Sequence, residues 1–331
     1  MNQSIKNYRD ATLDVSLRFL WRQWSDIGVA GRATPSDPWV IDPEALLLFS
    51  TTIARHDARL FDEIFDWLHL HGELINLTRL KNIRKQWALG DASVLAAMAD
   101  SLATQSVHAR WKTLVNSCKT PHDPPESLFP SVQKIDWDDY PVEPDPHFQK
   151  FGWLRTPAEL RRMSQVPQPH PATNFLFKTR WIFGLQSRAE IIPWLLCHDS
   201  GHPAEIARQT AYSKRIVQQT LNELESSGHV IATRSQREKH FRIIHKQWDF
   251  LCEAGKETFP QWIQWPPIFA ALTALHNTLH QPGIEDASEL FQAVKLRSAL
   301  ENLPLDFTTA SHKTGADFLQ TLLGDFKRLL G

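Results

Sequence analysis

Long apolar runs are missing from this 331-residue chain. None approaches the ~20 residues needed to cross a bilayer as a helix, so no helical membrane span is expected. Cysteine is scarce: Cys118, Cys197 and Cys252 are far apart, odd in number and without a C-x-x-C pair. That argues against a disulfide framework or a cysteine-based zinc site. An excess of charge of one sign is also lacking, with 36 basic against 37 acidic residues. A polyanionic partner would therefore have to be met by a local patch. The chain carries no G-x-x-x-x-G-K-[ST] loop, no G-x-G-x-x-G turn after a strand, no H-E-x-x-H and no G-x-S-x-G. The usual nucleotide cradles, zinc-protease helices and serine-hydrolase elbows are absent with them. The histidines are scattered; His69 and His71, two apart, diverge by roughly half a turn on a helix and make poor joint ligands. No catalytic, metal or cofactor residues are assigned from the sequence, and no enzyme activity is expected.

What is present is an ordinary globular composition, long enough for two or three domains. The N-terminal residues alternate charged and apolar types, unlike a signal peptide or anchor, so a cytoplasmic location is expected. Thirteen tryptophans are not interleaved with basic residues in one run. They fit helix-to-helix packing better than a stacking platform for bases.

The most informative stretch is 187–244. Ser187 suits the cap of a first helix with Ile191, Ile192, Leu195 and Leu196 at helical spacing, interrupted by Pro193. Asp199, Ser200 and Gly201 end it. Pro203 suits the first position of a short second helix that buries Ile206 and Ala207. Tyr212 falls in a tight turn, and Ser213 caps a third helix. There Val217, Leu221 and Leu224 recur at i, i+4, i+7 and face inward, leaving Lys214, Arg215, Gln218, Gln219 and Asn222 outside. Gly228 suits a left-handed helix end. Two strands follow, with Val230 and Ala232, then Phe241 and Ile243, alternating onto one buried face. Arg234, Arg237 and Lys239 cluster at the tip between them.

The run IARQTAYSKRIVQQTLNELESSGHV followed by a basic hairpin resembles the winged helix-turn-helix domain of bacterial regulators of the MarR and ArsR type. The resemblance covers about a fifth of the chain. It implies that the helix from Ser213 onward reads DNA bases, with Ser213, Lys214, Arg215, Gln218 and Gln219 as the groove candidates. It implies that a wing bearing Arg234, Arg237 and Lys239 grips the backbone. Local charge agrees: residues 176–250 hold 11 basic and 7 acidic side chains, a net +4 within a chain of net −1.

The flanks read as helical. Residues 1–118 give helices near 12–24, 44–56, 58–71 and 75–87, with a last one over 91–114. Arg79, Lys81, Arg84 and Lys85 raise the possibility of a second helix-turn-helix over 57–87; a bundle with one basic face is favoured, since no hairpin follows. Residues 119–147 are a proline-rich linker of net −5, which could cover the basic hairpin as a strap. Its cluster Asp136, Asp138 and Asp139 lacks a phosphate-binding partner motif and reads as solvated. Thr156 and Pro157 suit the start of a short helix over 156–163. Helices near 248–257, 267–279, 287–300 and 315–330 follow, the last with a stripe of Phe318, Leu322, Phe326 and Leu329.

The expected fold is mainly α: a helical domain (1–118), the acidic linker (119–147), a lead-in with a winged helix-turn-helix and its small β-hairpin wing (148–250), and a C-terminal helical domain (251–331). The expected function is a sequence-specific, double-stranded-DNA-binding transcriptional regulator; two copies, as a homodimer, would read an inverted repeat, and the helical flanks would carry dimerisation, a small ligand or a protein partner. The alternative is an interaction adaptor, or an antitoxin-like partner of an effector, whose winged helix does not primarily bind DNA.

Overall fold

Two α-helices buried on nearly every side organise the larger part of the molecule. In the computed structural model, which describes residues 5–31, 39–116, 121–132, 136–137, 139–235, 238–251, 259–301 and 315–330, these are α2 (Pro43–Ile53) and α12 (Trp265–Leu279). A helix apolar all round belongs at the centre of a core. Around them lie α1 (Ile5–Asp26), α3 (Ala58–His71), α4 (Leu77–Trp87), α5 (Ala92–Leu102), the short α6 (Lys112–Val115) and α7 (Pro146–Gln149), and from the other end of the chain α13 (Glu289–Leu300) and α14 (Gly315–Leu330). Phe49 of α2 stacks on Phe269 of α12 with ring centroids 4.6 Å apart. The helical flanks on either side of the middle segment thus share one core.

The helix starts follow local chemistry. Asp42, Asp57, Asn76 and Asp91 each accept a backbone N–H of the first turn of α2, α3, α4 and α5, and Pro43 takes the first position of α2. Three of the buried tryptophans have their N–H groups satisfied. Trp24 donates to Ser50, Trp67 to the Ile27 carbonyl and Trp265 to the Val40 carbonyl.

A second, smaller core is built from α8 (Phe175–Phe183), α9 (Arg188–Leu196), α10 (Pro203–Thr210), α11 (Lys214–Ser226) and an antiparallel hairpin of β3 (Val230–Ser235) and β4 (Glu238–Ile243). Gly201 exchanges both backbone hydrogen bonds with Phe241 of β4, at 2.9 Å each. A Cβ at Gly201 would sit 2.4 Å from the Trp194 ring, so only glycine allows this strand-like contact.

Four expectations are corrected. Residues 156–163 are not helical. Arg162 has φ 54°; its N–H donates to Asp66 of α3, and the Gln165 N–H to the Gly28 carbonyl. Amides engaged in tertiary bonds are lost to a helical ladder. The single helix over 91–114 breaks at Leu102, followed by a 3-10 turn over Ser106–Trp111. Ser187 caps no N–H; its hydroxyl pairs with Thr220 of α11 at 2.8 Å. The described part of the acidic segment lies on the helical core and not on the hairpin. There β1 (Glu126–Ser127) pairs in parallel with β2 (Trp153–Leu154), and His147 of α7 meets Asp100 at 2.8 Å. Cys118, Asp138, Arg237 and Cys252 lie outside the described residues.

The two cores meet at a buried ionic network. Glu44 of α2 accepts from Arg79 of α4 (2.6 Å) and twice from Arg180 of α8 (2.7 and 2.8 Å). Arg79 also bonds both oxygens of Asp42, and Arg180 donates to Glu190 of α9 at 3.0 Å. Tyr212, between α10 and α11, donates to Glu190 and accepts from Asn76. Burial pushes the Glu44 carboxyl up, but the Arg180 and Arg79 guanidiniums outweigh it and hold the group below the usual glutamate range. At Glu190 burial prevails over the same two cations and its carboxyl is raised.

Two predictions follow from this packing. Glu44→Gln leaves two buried cations short of their shared anion and should cost about 3–5 kcal/mol. Glu190→Gln removes one of two carboxylates on Arg180 and leaves Glu44 in place, so it should cost less. Urea unfolding curves with equal slopes would measure both, and equal costs would contradict the assignment. The sign in pH follows: the stability carried by Glu44 is present above its ordinary value of 4.5 and lost as pH falls through its lower folded value. Separately, Gly201→Ala should destabilise by roughly 1–3 kcal/mol through overpacking against Trp194, seen as a lower midpoint in thermal unfolding.

Candidate nucleic-acid interface

The outer face of α11 is held in place from three sides. Its inner side buries Val217, Thr220, Leu221 and Leu224, each apolar side chain contributing about 1.5–3 kcal/mol. Ser213 caps it, accepting the Ile216 N–H at 3.3 Å. The turn before it is pinned by α4. Arg79, Asn82 and Gln86 donate to the carbonyls of Thr210, Ala211 and Arg208 at 3.0, 2.9 and 3.2 Å. Those carbonyls are the ones the C-terminal end of α10 leaves without helical partners. Ala211 adopts a left-handed conformation there, φ 59°.

The structure gathers the groove candidates on one surface. Ser213, Lys214, Arg215 and Gln219 are exposed and Gln218 is half-buried. Gln218 donates to Asn222, and Gln219 to Glu223. The hydrogen bond from Gln219 and the nearby Arg188 guanidinium lower the Glu223 carboxyl below its usual range. Arg188, at the start of α9, forms an ion pair with Glu223.

On the hairpin, Arg234 and Lys239 are directly opposite each other. With a side-chain period of two, Lys239 shares the face of Phe241 and Ile243, the face turned toward the core. It therefore reaches Glu225 of α11 at 2.6 Å and lies over the Phe241 ring. Arg234 is exposed beside it. Two cations opposite one another repel, and Glu225 offsets that repulsion. Arg242, which sequence reasoning did not single out, is exposed on the opposite face; alternation with Phe241 and Ile243 was the signal for it.

Chemically, this surface offers cations, amides and the N-terminal end of a 13-residue helix, whose unpaired N–H groups and dipole favour anions. Its C-terminal half is acidic, at Glu223 and Glu225, but each carboxylate is paired.

Arg79 corrects the reading of α4 as a helix with one basic solvent face. It is fully buried and serves as an internal anchor, while Lys81 and Lys85 stay exposed. The positioning residues Asn82 and Gln86 were missed, although Arg79, Asn82 and Gln86 share one helical face by spacing. The Cys197 thiol donates to the Pro260 carbonyl and burial pushes it up to about 12, while the His198 ring stacks on Trp194. The one group of metal-capable side chains among the described residues is His56, His276 and His280, on the larger core. His276 and His280 are four apart on a helix, a local signal that was not read. Comparison with protein-family models, with curated proteins and with solved structures finds no match for this chain.

Proposed function

We propose that the protein binds double-stranded DNA as a transcriptional regulator, with α9–α11 and the β3–β4 hairpin acting as a winged helix-turn-helix. The observation that carries this reading is the outer surface of α11: Lys214, Arg215, Gln218 and Gln219 on one face, with Arg234 and Lys239 of the hairpin alongside. In this reading α11 enters the major groove. Arg215 donates to guanine O6 and N7, and Gln218 or Gln219 pairs with adenine. Lys214 and Arg234 meet phosphates and supply the salt-sensitive part of the affinity. Two copies would read half-sites about one helical turn apart.

A second reading, capture of a protein partner, draws on α13, which exposes Leu290, Phe291 and Val294 at 70%, 50% and 57%. Val294 lies three residues from Phe291 and four from Leu290, so the three make a contiguous apolar stripe. The two readings separate by salt: DNA affinity falls steeply as salt rises, and an apolar protein contact does not.

Arg215→Ala should cost roughly 1–3 kcal/mol on the preferred sequence and relax preference at one base position. Arg234→Ala should weaken all sequences alike and reduce the slope of log affinity against log salt by about one. Fluorescence anisotropy on selected and random duplexes across a salt series checks both. Equal effects of the two variants on both duplexes would contradict the division of roles. Absence of binding at low salt would remove the DNA reading and leave the partner surface.

A further inference from the structure

His56 ends the 3-10 turn after α2, His276 lies in the last turns of α12, and His280 caps that helix. The nearest pair, His56 Nε2 and His276 Nε2, are 3.2 Å apart, and one ring nitrogen from each of the three lies within 4.8 Å of the others. Zinc–imidazole bonds of about 2.0–2.1 Å in a tetrahedron place their nitrogens roughly 3.3 Å apart. The first pair already has that spacing. The exposed His280 ring stands beside His276, with ring centroids 4.1 Å apart, as the third member.

The surroundings prepare the rings as ligands. The His280 Nδ1–H donates to the His276 carbonyl at 2.8 Å, which leaves Nε2 of His280 with its lone pair free. A hydrogen bond at one ring nitrogen fixes which nitrogen can bind metal at the other. The three histidines open onto a polar cavity of about 820 Å3, also lined by Arg55, Asp91, His122, Glu126 and Asn277.

We propose that His56, His276 and His280 form a divalent transition-metal site of the zinc type, with its fourth position open to this cavity. Three imidazoles suit zinc, and a three-ligand site keeps a position for water or a small ligand. Arg55 is fixed at the cavity by its bond to the Leu128 carbonyl, by stacking on Trp153 and by the facing carboxylates of Asp91 and Glu126, at 4.0 and 3.8 Å. The metal would also join the turn after α2 to the end of α12, and so link the N-terminal helices to the C-terminal ones.

The test uses the full chain stripped of metal with a chelator. Zinc titrated against a chromophoric competitor should bind one per chain. Cobalt in its place should give the strong visible absorption of a tetrahedral centre. Zinc should raise the unfolding temperature. His280→Ala alters an exposed side chain and should fold as the parent, yet lose roughly 100-fold or more in zinc affinity and all of the thermal shift. His240→Ala, a surface histidine on the hairpin, should leave both unchanged. Zinc binding equally well to His280→Ala and to His56→Gln would overturn the proposal and leave a hydrogen-bonded histidine cluster. The weak absorption of six-coordinate cobalt would overturn the tetrahedral assignment.

Discussion

The placement of the smaller core on the larger one rests on Glu44. A carboxylate fully out of water is tolerated only when its partners are close and numerous. Glu44 has both guanidiniums, and it also accepts the Asn76 N–H at 2.8 Å. Its partners come from α4 and from α8, so the bond set forms only when those helices are correctly oriented. Hydrophobic contact between the two cores would allow sliding. The planar, bidentate geometry of arginine on carboxylate does not. The same network ends on Tyr212, the residue that precedes the cap of α11. A constraint on α2 is thereby carried to the direction in which α11 points.

The larger core closes through both ends of the chain. α1 packs on α14 and α12, and α2 on α12, with Phe19, Trp265 and Phe269 in mutual ring contact. The segment bearing α8–α11 and the hairpin is therefore carried between two halves of one packed body. Its connections to that body combine apolar contact, Phe177 of α8 on Trp67 of α3, with oriented polar bonds: Arg79, Asn82 and Gln86 at the α10 carbonyls, and the ionic network beneath. A module held by oriented hydrogen bonds on one side leaves its opposite side, the outer face of α11, free for a partner.

Much of this was legible in the sequence because it is local. Asp42-Pro43-Glu44 announces α2 through a cap and a first-turn proline, and Ser213 with Val217, Leu221 and Leu224 announces α11 and its buried side. What was not legible depends on residues distant in the chain. Residues 156–163 have the composition of a helix start, yet the Arg162 amide bonds to Asp66 and the nearby Gln165 amide to Gly28, and tertiary bonds outweigh propensities of a few tenths of a kcal/mol per residue. Arg79 reads as one more surface cation until Asp42, 37 residues away, is placed beside it. His276 and His280 make a local pair, but His56 is 220 residues distant from His276, and no periodicity connects them.

Acidic residues on α11 look at first like an objection to a DNA-reading surface, since Glu223 and Glu225 repel phosphate. Each is paired with a cation from a different element, Arg188 from α9 and Lys239 from β4. Exposed pairs of this kind are screened by water and contribute too little to be explained as sources of stability. Their consequence is the charge pattern they leave. The C-terminal half of α11 becomes neutral, while Lys214 and Arg215 keep their charge at the N-terminal half, where the helix dipole adds to it. The surface is thus polarised along the helix, and in the proposed complex the N-terminal half faces the nucleic acid while the paired half points away. The hairpin shares in that orientation, because the bond that neutralises Glu225 also fixes Lys239, and with it the strand opposite Arg234, against α11.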